Sequence, residues 1–418
     1  MKRIKLSDDI KEIIKIMKDS GFECYVVGGF IRDSLLKKPS KDIDFATNAE
    51  PEDVCKIFNK TILTGMKHGT VTICYKEKYY EMTTYRKDEN DSKASIETDL
   101  NHRDFTINAI AYDGKHYKFP TKMKKQCLAD IKSKTLRTVG VAKDRFNEDP
   151  LRLLRAIRLT AKYNLSFDTE VHNCLMDKEM VERLKEISKE RIRDELVKIV
   201  EYYYIRRRID LLGRFYHVYK TAVYNYPKTK MMAYNFVTDN AQHFYYTYPD
   251  KHYIFIMIMT YLFKTSNSSI RFSQFKMFLK ELKFSNEFIK IAEFVYTHSG
   301  KAYISEIDMN HLWKEAYDFG IKDINETIEL VSAINEQFGL YQSVLSNYFE
   351  RHRNKFAISV ADLDVNGDDL KLLFIEGKDI GKCLELALNA VISGYCVNKK
   401  SKLLKYIKNF ICSECDEQ

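Results

Sequence analysis

The chain has 418 residues, 45% hydrophobic and 30% charged, which is enough to bury real cores and excludes a disordered chain. Its 15 Gly and 6 Pro argue against an all-β sandwich, a collagen or a linker protein and favour long helices with short connections. The net charge is +9, and residues 201–300 alone hold 14 Lys/Arg against 7 Asp/Glu together with 14 of the 28 Tyr. Such a segment suits a phosphate-rich partner, because cations neutralise phosphates and aromatic faces stack on bases. It equally suits a Lys-rich helical surface over a Tyr-rich core.

In chain order, Met1-Lys2-Arg3 is followed by Asp8-Asp9 and by Ile10, Ile13, Ile14 and Met17 at helical spacing. This predicts an amphipathic helix rather than a secretory signal. Cys24–Val27, Asp42–Ala46, Thr70–Tyr75 and Tyr79–Tyr85 read as strands, with helices over Phe30–Leu36 and Pro51–Phe58. From Glu148 onward strand signals nearly vanish. Asn147-Glu148-Asp149-Pro150 reads as a helix start, with Asp149 able to cap and Pro150 at the first helical position. The longest strongly apolar run, Tyr253–Phe263, is 11 residues and too short to span a bilayer. The nine cysteines are scattered; only Cys412 and Cys415 have C-x-x-C spacing, with no second pair to complete a zinc site. That usage suits a reducing compartment such as the cytoplasm. The expected architecture is a small α+β head followed by an elongated, mostly α-helical remainder.

Two short stretches carry chemistry. In Val27-Gly28-Gly29-Phe30-Ile31-Arg32-Asp33 a strand ends in two glycines and a helix begins, with Arg32 one turn in. The turn is either a tight strand–helix junction or an anion cradle, since glycine permits close backbone approach and helix N-termini offer free N–H groups. Ten residues on, Asp42 and Asp44 alternate with Ile43 and Phe45. On a strand they share one face, where two carboxylates repel unless a cation bridges them. Such a pair holding two metal ions performs in-line attack on a phosphate. The alternative is two solvent-facing acids on an edge strand.

At this point the sequence resembles the polymerase-β-like nucleotidyltransferases, through Gly-Gly-x-x-Arg-Asp followed by Asp-x-Asp. His102-Arg103-Asp104-Phe105-Thr106-Ile107-Asn108-Ala109 is similar to the R-R-D-F-T-x-N-A block of class II tRNA nucleotidyltransferases. Glu148-Asp149-Pro150-Leu151-Arg152 resembles their E-D-x-L-R motif, and Glu190-Arg191-Ile192-Arg193-Asp194-Glu195-Leu196 their E-R-x-x-x-E-L neck motif. Asp362–Leu370 and Val391–Gly394 resemble the tail of bacterial members. The resemblance implies a nucleotidyltransferase head over residues 1–140, a base-recognising neck over 141–205, and a tRNA-binding body and tail over 206–330 and 331–418.

It also implies template-independent addition of the 3′-terminal CCA to tRNA from CTP and ATP, with two Mg²⁺ ions on Asp42 and Asp44. Glu81 is either a third carboxylate near the metals or a solvated glutamate. Nucleotide contacts fall to Gly28, Gly29, Arg32, Arg103, Asp104, Asn108, Asp149, Arg152, Arg155 and Arg158, and tRNA contacts to Arg206, Arg207 and Arg208. No membrane and no stable protein partner is implied.

Asp149 and Arg152, read as sharing a helical face, have a logic of their own. A carboxylate accepts from the exocyclic amine of cytosine or adenine while a guanidinium donates to the adjacent ring nitrogen; guanine and uracil invert that pattern. The plainer reading of Asp149 is a helix cap.

Two departures from the family pattern stand out. His102 replaces a usual arginine, and Lys87–Asp99 is a short, polar stretch where relatives carry a flexible loop. A short loop suits an enzyme that adds only A. Poly(A) polymerases share the head motifs, but Thr64–Thr72 follows the tRNA-enzyme pattern. A catalytically dead RNA-binding protein is disfavoured by the intact Asp42/Asp44 pair.

Overall fold

The computed structural model describes residues 3–40, 42–63, 69–87, 94–206, 213–224, 251–266, 272–301, 306–337, 357, 359–375 and 377–416. They divide into two compact units, Met1–Tyr202 with His217–Ala222, and Tyr203–Tyr216 with Val223–Gln418.

The first unit opens with helix α1 (Asp8–Asp19), whose Ile10, Ile13, Ile14 and Met17 are buried as their spacing predicts. Then come β1 (Cys24–Val27), α2 (Gly29–Leu35), β2 (Asp44–Thr47), α3 (Pro51–Ile57), β3 (Thr61–Ile62), β4 (Thr70–Tyr75) and β5 (Lys78–Thr84). After α4 (Ile96–Asn101) come β6 (Ala111–Tyr112) and β7 (Tyr117–Lys118). These strands form one mixed sheet in the order β3-β4-β5-β2-β1-β6-β7. Strand β1 runs antiparallel to β2 and β6, while β2 and β5 are parallel. Val26, Phe45, Val71, Ile73, Met82 and Tyr112 bury one face of the sheet with α1, a core of β-branched and aromatic residues.

Helix α5 (Lys124–Ser133), β8 (Thr135–Leu136), α6 (Ala142–Glu148), α7 (Arg152–Tyr163), β9 (Ser166–Phe167), α8 (Thr169–Met176), α9 (Lys178–Glu182) and α10 (Lys189–Arg206) follow. From Glu148 onward the two-residue β9 is the one strand among the described residues.

Two local expectations are corrected. Strand β2 starts at Asp44, so Asp42 precedes it, is exposed, and is not set on one face with Asp44 by the pleat. On the β1 side the register ends at Val27 opposite Asp44, because the chain leaves the sheet at Gly28; on the other side β5 continues to Lys78, but its pairing with β2 also begins at Asp44. The second correction concerns the helix start. Asp149 is extended (φ −146°, ψ 97°) and ends α6, while α7 begins at Arg152. Proline disfavours helical geometry in the residue before it, so Asp149 closes α6 in extended geometry, and the turn it begins with Pro150 (Arg152 N–H to the Asp149 carbonyl and Leu153 N–H to the Pro150 carbonyl, both 3.0 Å) leads into α7. Asp149 and Arg152 therefore do not share a helical face. The stretch 87–99 is also partly helical, since α4 begins at Ile96, capped by Ser95, which accepts from the Thr98 N–H at 3.1 Å; residues 88–93 lie outside the described residues.

The second unit is helical, with Lys251–Ser266, Phe272–Glu281, Asn286–His298, Glu306–Asp318, Ile324–Gln337, Lys378–Ile392 and Lys400–Asp416 as its longer helices. The apolar run lies inside Lys251–Ser266, where Ile254 through Phe263 are buried, Phe255 stacks on Phe278, and Phe263 packs tilted against Phe275 and Phe278. It is a core helix, and no described helix is long and apolar enough to cross a membrane. In the basic, Tyr-rich segment Tyr219 and Tyr261 are buried and Tyr224 is exposed, while residues 225–250 lie outside the described residues. Arg206 ends α10 with its side chain not described, and Arg207 and Arg208 lie outside the described residues. The side chains of Cys412 and Cys415 are likewise not described, and the seven described cysteines are free thiols.

Candidate active site

The site begins where β1 ends. Gly28 has φ +68°, and a Cβ placed there would lie 3.2 Å from Arg103 Nη1 and 3.7 Å from Asp44 Oδ2. Glycine thus allows the backbone, an arginine and a carboxylate to meet at the first turn of α2. Asp44 is the register partner of Val27 on one side and of Glu81 on the other. Burial, then the charge of Glu81, push the Asp44 carboxyl above its ordinary pKa; Arg103 opposes them and Asp42 adds to them.

Arg103 is itself held by Asp99, which accepts from Nε at 3.2 Å and Nη2 at 3.0 Å. From Arg32 a chain of polar contacts crosses the site. Arg32 Nε donates to Asp33 Oδ1 (2.9 Å) and Nη1 to Asn108 Oδ1 (2.6 Å), while Nη2 donates to the Tyr163 hydroxyl. The Asn108 amide donates to Asp104 Oδ1 at 3.0 Å, and Arg155 grips Asp104 Oδ2 through Nε (3.0 Å) and Nη2 (2.6 Å). Arg158 Nε donates to Glu195 Oε2 on α10 at 2.6 Å. Burial pushes the Asp104 carboxyl up, but Arg155, the Asn108 amide and the Phe105 N–H outweigh it and hold Asp104 well below the usual carboxylate range.

At the other end, Asp149 Oδ1 accepts from the Leu151 N–H (3.2 Å) and Oδ2 from Arg191 Nη2 (2.9 Å). Arg152 Nη1 donates to Glu148 Oε2 and to the Arg145 carbonyl, both at 2.8 Å. The His102 carbonyl accepts from Arg86 Nη1 at 2.9 Å and Arg152 Nη2 at 3.4 Å. The residue that replaces the usual arginine thus joins the site through its backbone.

One cleft of about 360 Å³ unites these groups. Gly28, Gly29, Arg32, Asp44, Arg103, Asp104, Asn108, Asp149, Arg152, Arg155 and Arg158 line it, together with Arg86, Leu159 and Arg191. Every nucleotide contact expected from sequence is brought together; Asp42 and Glu81 are outside the lining, with Glu81 joined to it through Asp44. Sequence reasoning missed Arg86, Asp99 and Tyr163, which no motif marks. Arg191 and Glu195 lie in the neck motif, which is the one signal the sequence offers for them.

The cleft has arginines along its walls and Asp44 in its lining, with Asp42 and Glu81 beyond it, so it can bind a polyphosphate beside a divalent cation. Among the described residues no group of three His, Cys, Asp or Glu forms a metal-ligand set by itself. Asp42, Asp44 and Glu81 offer only oxygen donors and mutual repulsion, which fits Mg²⁺, an ion that completes its shell with water and substrate phosphates.

Residues 24–137 match the poly A polymerase head domain and residues 258–407 match tRNA nucleotidyltransferase domain 2. A CCA-adding enzyme of Lactobacillus delbrueckii subsp. bulgaricus is 38% identical over 207 residues, a match that spans 45% of this chain and about half, 48%, of that relative. The structure is similar to the Bacillus stearothermophilus CCA-adding enzyme in complex with CTP, at TM-score 0.68 and 25% identity over 98% of both chains. A CCA-adding enzyme of Streptococcus uberis is 31% identical over 97% of this chain and 98% of its own length, and on that full-length match the chain belongs to the CCA-adding enzyme family.

Proposed function

We propose that the chain adds the 3′-terminal CCA to tRNA from CTP and ATP without a nucleic-acid template, working in the cytoplasm. The observation that carries this reading is one cleft whose lining joins Asp44, beside Gly28 and Arg103, with Asp149 and Arg152. The first three residues suit a reacting phosphate, and Asp149 with Arg152 a base edge.

Each residue has a stated part. Gly28 and Gly29 let the triphosphate approach the backbone at the start of α2, where Arg32 and Arg103 neutralise it. Asp149 accepts the exocyclic amine of cytosine or adenine. Each of its oxygens has one donor in the structure, and a carboxylate has lone pairs for more. Arg152 donates to the ring nitrogen from an N–H not used by Glu148 and the Arg145 carbonyl. Asp104, Asn108, Arg155 and Arg158 hold these groups in place through their ion pairs and amide bonds.

Asp42 and Asp44, with Glu81 beside them, would hold two Mg²⁺ ions, which when bound activate the tRNA 3′-hydroxyl and neutralise the leaving pyrophosphate. Residues 1–140 form the catalytic head, 141–205 the neck that reads the base, and 206–330 and 331–418 the body and tail that bind tRNA. There Arg206, Arg207 and Arg208 contact the RNA backbone.

The test is incorporation of labelled CTP into tRNA lacking its CCA, by the wild type and by Asp44→Asn. Elongation by the wild type alone, dependent on a divalent cation, supports the reading; equal elongation by both proteins overturns it.

A further inference from the structure

Tyr163 belongs to no motif in the sequence, does not line the cleft, and is buried at 3% exposure. It nevertheless touches the group that does line it. The Arg32 guanidinium carbon lies 4.2 Å from the centroid of the Tyr163 ring, and Arg32 Nη2 donates to the Tyr163 hydroxyl. Arg32 is only 7% exposed, and its remaining contacts are Asp33 and Asn108. A planar cation over an aromatic face has both its plane and its position defined, whereas a carboxylate alone lets it pivot. One N–H of Nη1 is left with no acceptor among the described residues, on a side chain that lines the cleft.

The location of Tyr163 adds a second point. It is the last residue of α7, and Arg152 is the first. Eleven residues of helix span roughly 16 Å. One rigid element therefore carries the base-reading arginine at one end and the support for the triphosphate arginine at the other.

We propose that Tyr163 is a positioning residue for the triphosphate grip: its ring and hydroxyl fix Arg32, and α7 thereby sets the distance between base recognition and phosphate recognition. This rests on the reading of the cleft as a CTP and ATP site. It makes a specific claim, that Tyr163 acts on the phosphates and not on the base.

The test compares Tyr163→Phe and Tyr163→Leu with the full-length wild type. CTP and CMP affinities are measured by titration, and KM and kcat by incorporation on tRNA lacking CCA and on tRNA ending in CC. Tyr163→Leu should weaken CTP about tenfold and leave CMP unchanged, so that the CTP:CMP affinity ratio falls. It should raise KM for CTP and ATP by the same factor, with UTP misincorporation unaltered. Tyr163→Phe, which keeps the ring, should lose about threefold. Combining Tyr163→Leu with Arg32→Ala should be no worse than Arg32→Ala alone. An unchanged CTP:CMP ratio in Tyr163→Leu overturns the proposal, whatever happens to its melting temperature. So does a loss that differs between CTP and ATP. A wild type that adds neither C nor A refutes the underlying reading instead, which keeps the two failures distinguishable.

Discussion

Asp44 and Glu81 are register partners in the parallel pairing of β2 with β5, which places two carboxylates side by side where β2 begins. Burial and the Glu81 charge hold the Asp44 carboxyl above its ordinary pKa. A carboxyl raised in the folded state costs stability as pH climbs through and beyond its unfolded value of 3.8, because the unfolded chain gives up the proton first. Asp44→Asn should therefore abolish nucleotide addition and, at pH 7 without divalent cation, raise the melting temperature by about 2 °C. Thermal scans with and without Mg²⁺ check this. Mg²⁺ should stabilise the wild type and leave the variant unmoved.

Gly28 is the second point of sensitivity. With φ +68° and Arg103 Nη1 only 3.2 Å from an added Cβ, Gly28→Ala should cost about 1–2 kcal/mol in backbone strain. Activity should fall further than stability, because the methyl displaces Arg103 from the carboxylate end. Denaturant melts beside incorporation rates separate the two effects; unchanged rates would mean the turn is only structural.

The sequence displayed this carboxylate end unevenly. Gly28, Asp44 and Arg103 belong to contiguous motifs with fixed spacing, so they were legible. Asp42 was placed on the strand because alternation alone says nothing about where the neighbouring strand ends. Pro150 marks the turn into α7, but no local pattern shows that a separate helix, α6, ends just before it. The Arg32–Tyr163 and Arg158–Glu195 contacts join residues 131 and 37 apart, and pairings of that kind are made by packing, which no local pattern encodes. The strands Cys24–Val27 and Thr70–Tyr75 were legible because β-branched and aromatic residues concentrate there.

Asp104 titrates in the opposite sense to Asp44. Its folded pKa is depressed, so its stabilisation is fully present above the unfolded value of 3.8 and is lost as pH falls through the depressed value. Asp104→Asn should cost about 1–3 kcal/mol at pH 7, since the half-exposed Arg155 loses its nearer carboxylate and keeps only Glu195, 3.9 Å away. The deficit relative to wild type should stay constant down to about pH 4 and shrink below it. Denaturant melts across pH 3 to 7 measure that difference, and a deficit that grows in acid contradicts the assignment.

Asp149 accepts the Leu151 N–H ahead of α7, and the proposed base reading gives it a part beyond that bond. Asp149→Ala removes its bonds to the Leu151 N–H and Arg191 and should cost about 1 kcal/mol of stability. The larger effect should be on choice: CTP and ATP use should fall while UTP and GTP errors rise. Competition assays with all four nucleotides decide it, and a stability loss with selectivity intact would return Asp149 to a structural role.

Whether one cleft serves both CTP and ATP is decided by single-turnover incorporation on two tRNAs, one lacking all three terminal nucleotides and one ending in CC. The first tRNA should gain two C and then one A, and the second a single A, with comparable rate constants. Addition of A to the second with no C added to the first would contradict this and identify an enzyme that adds only A.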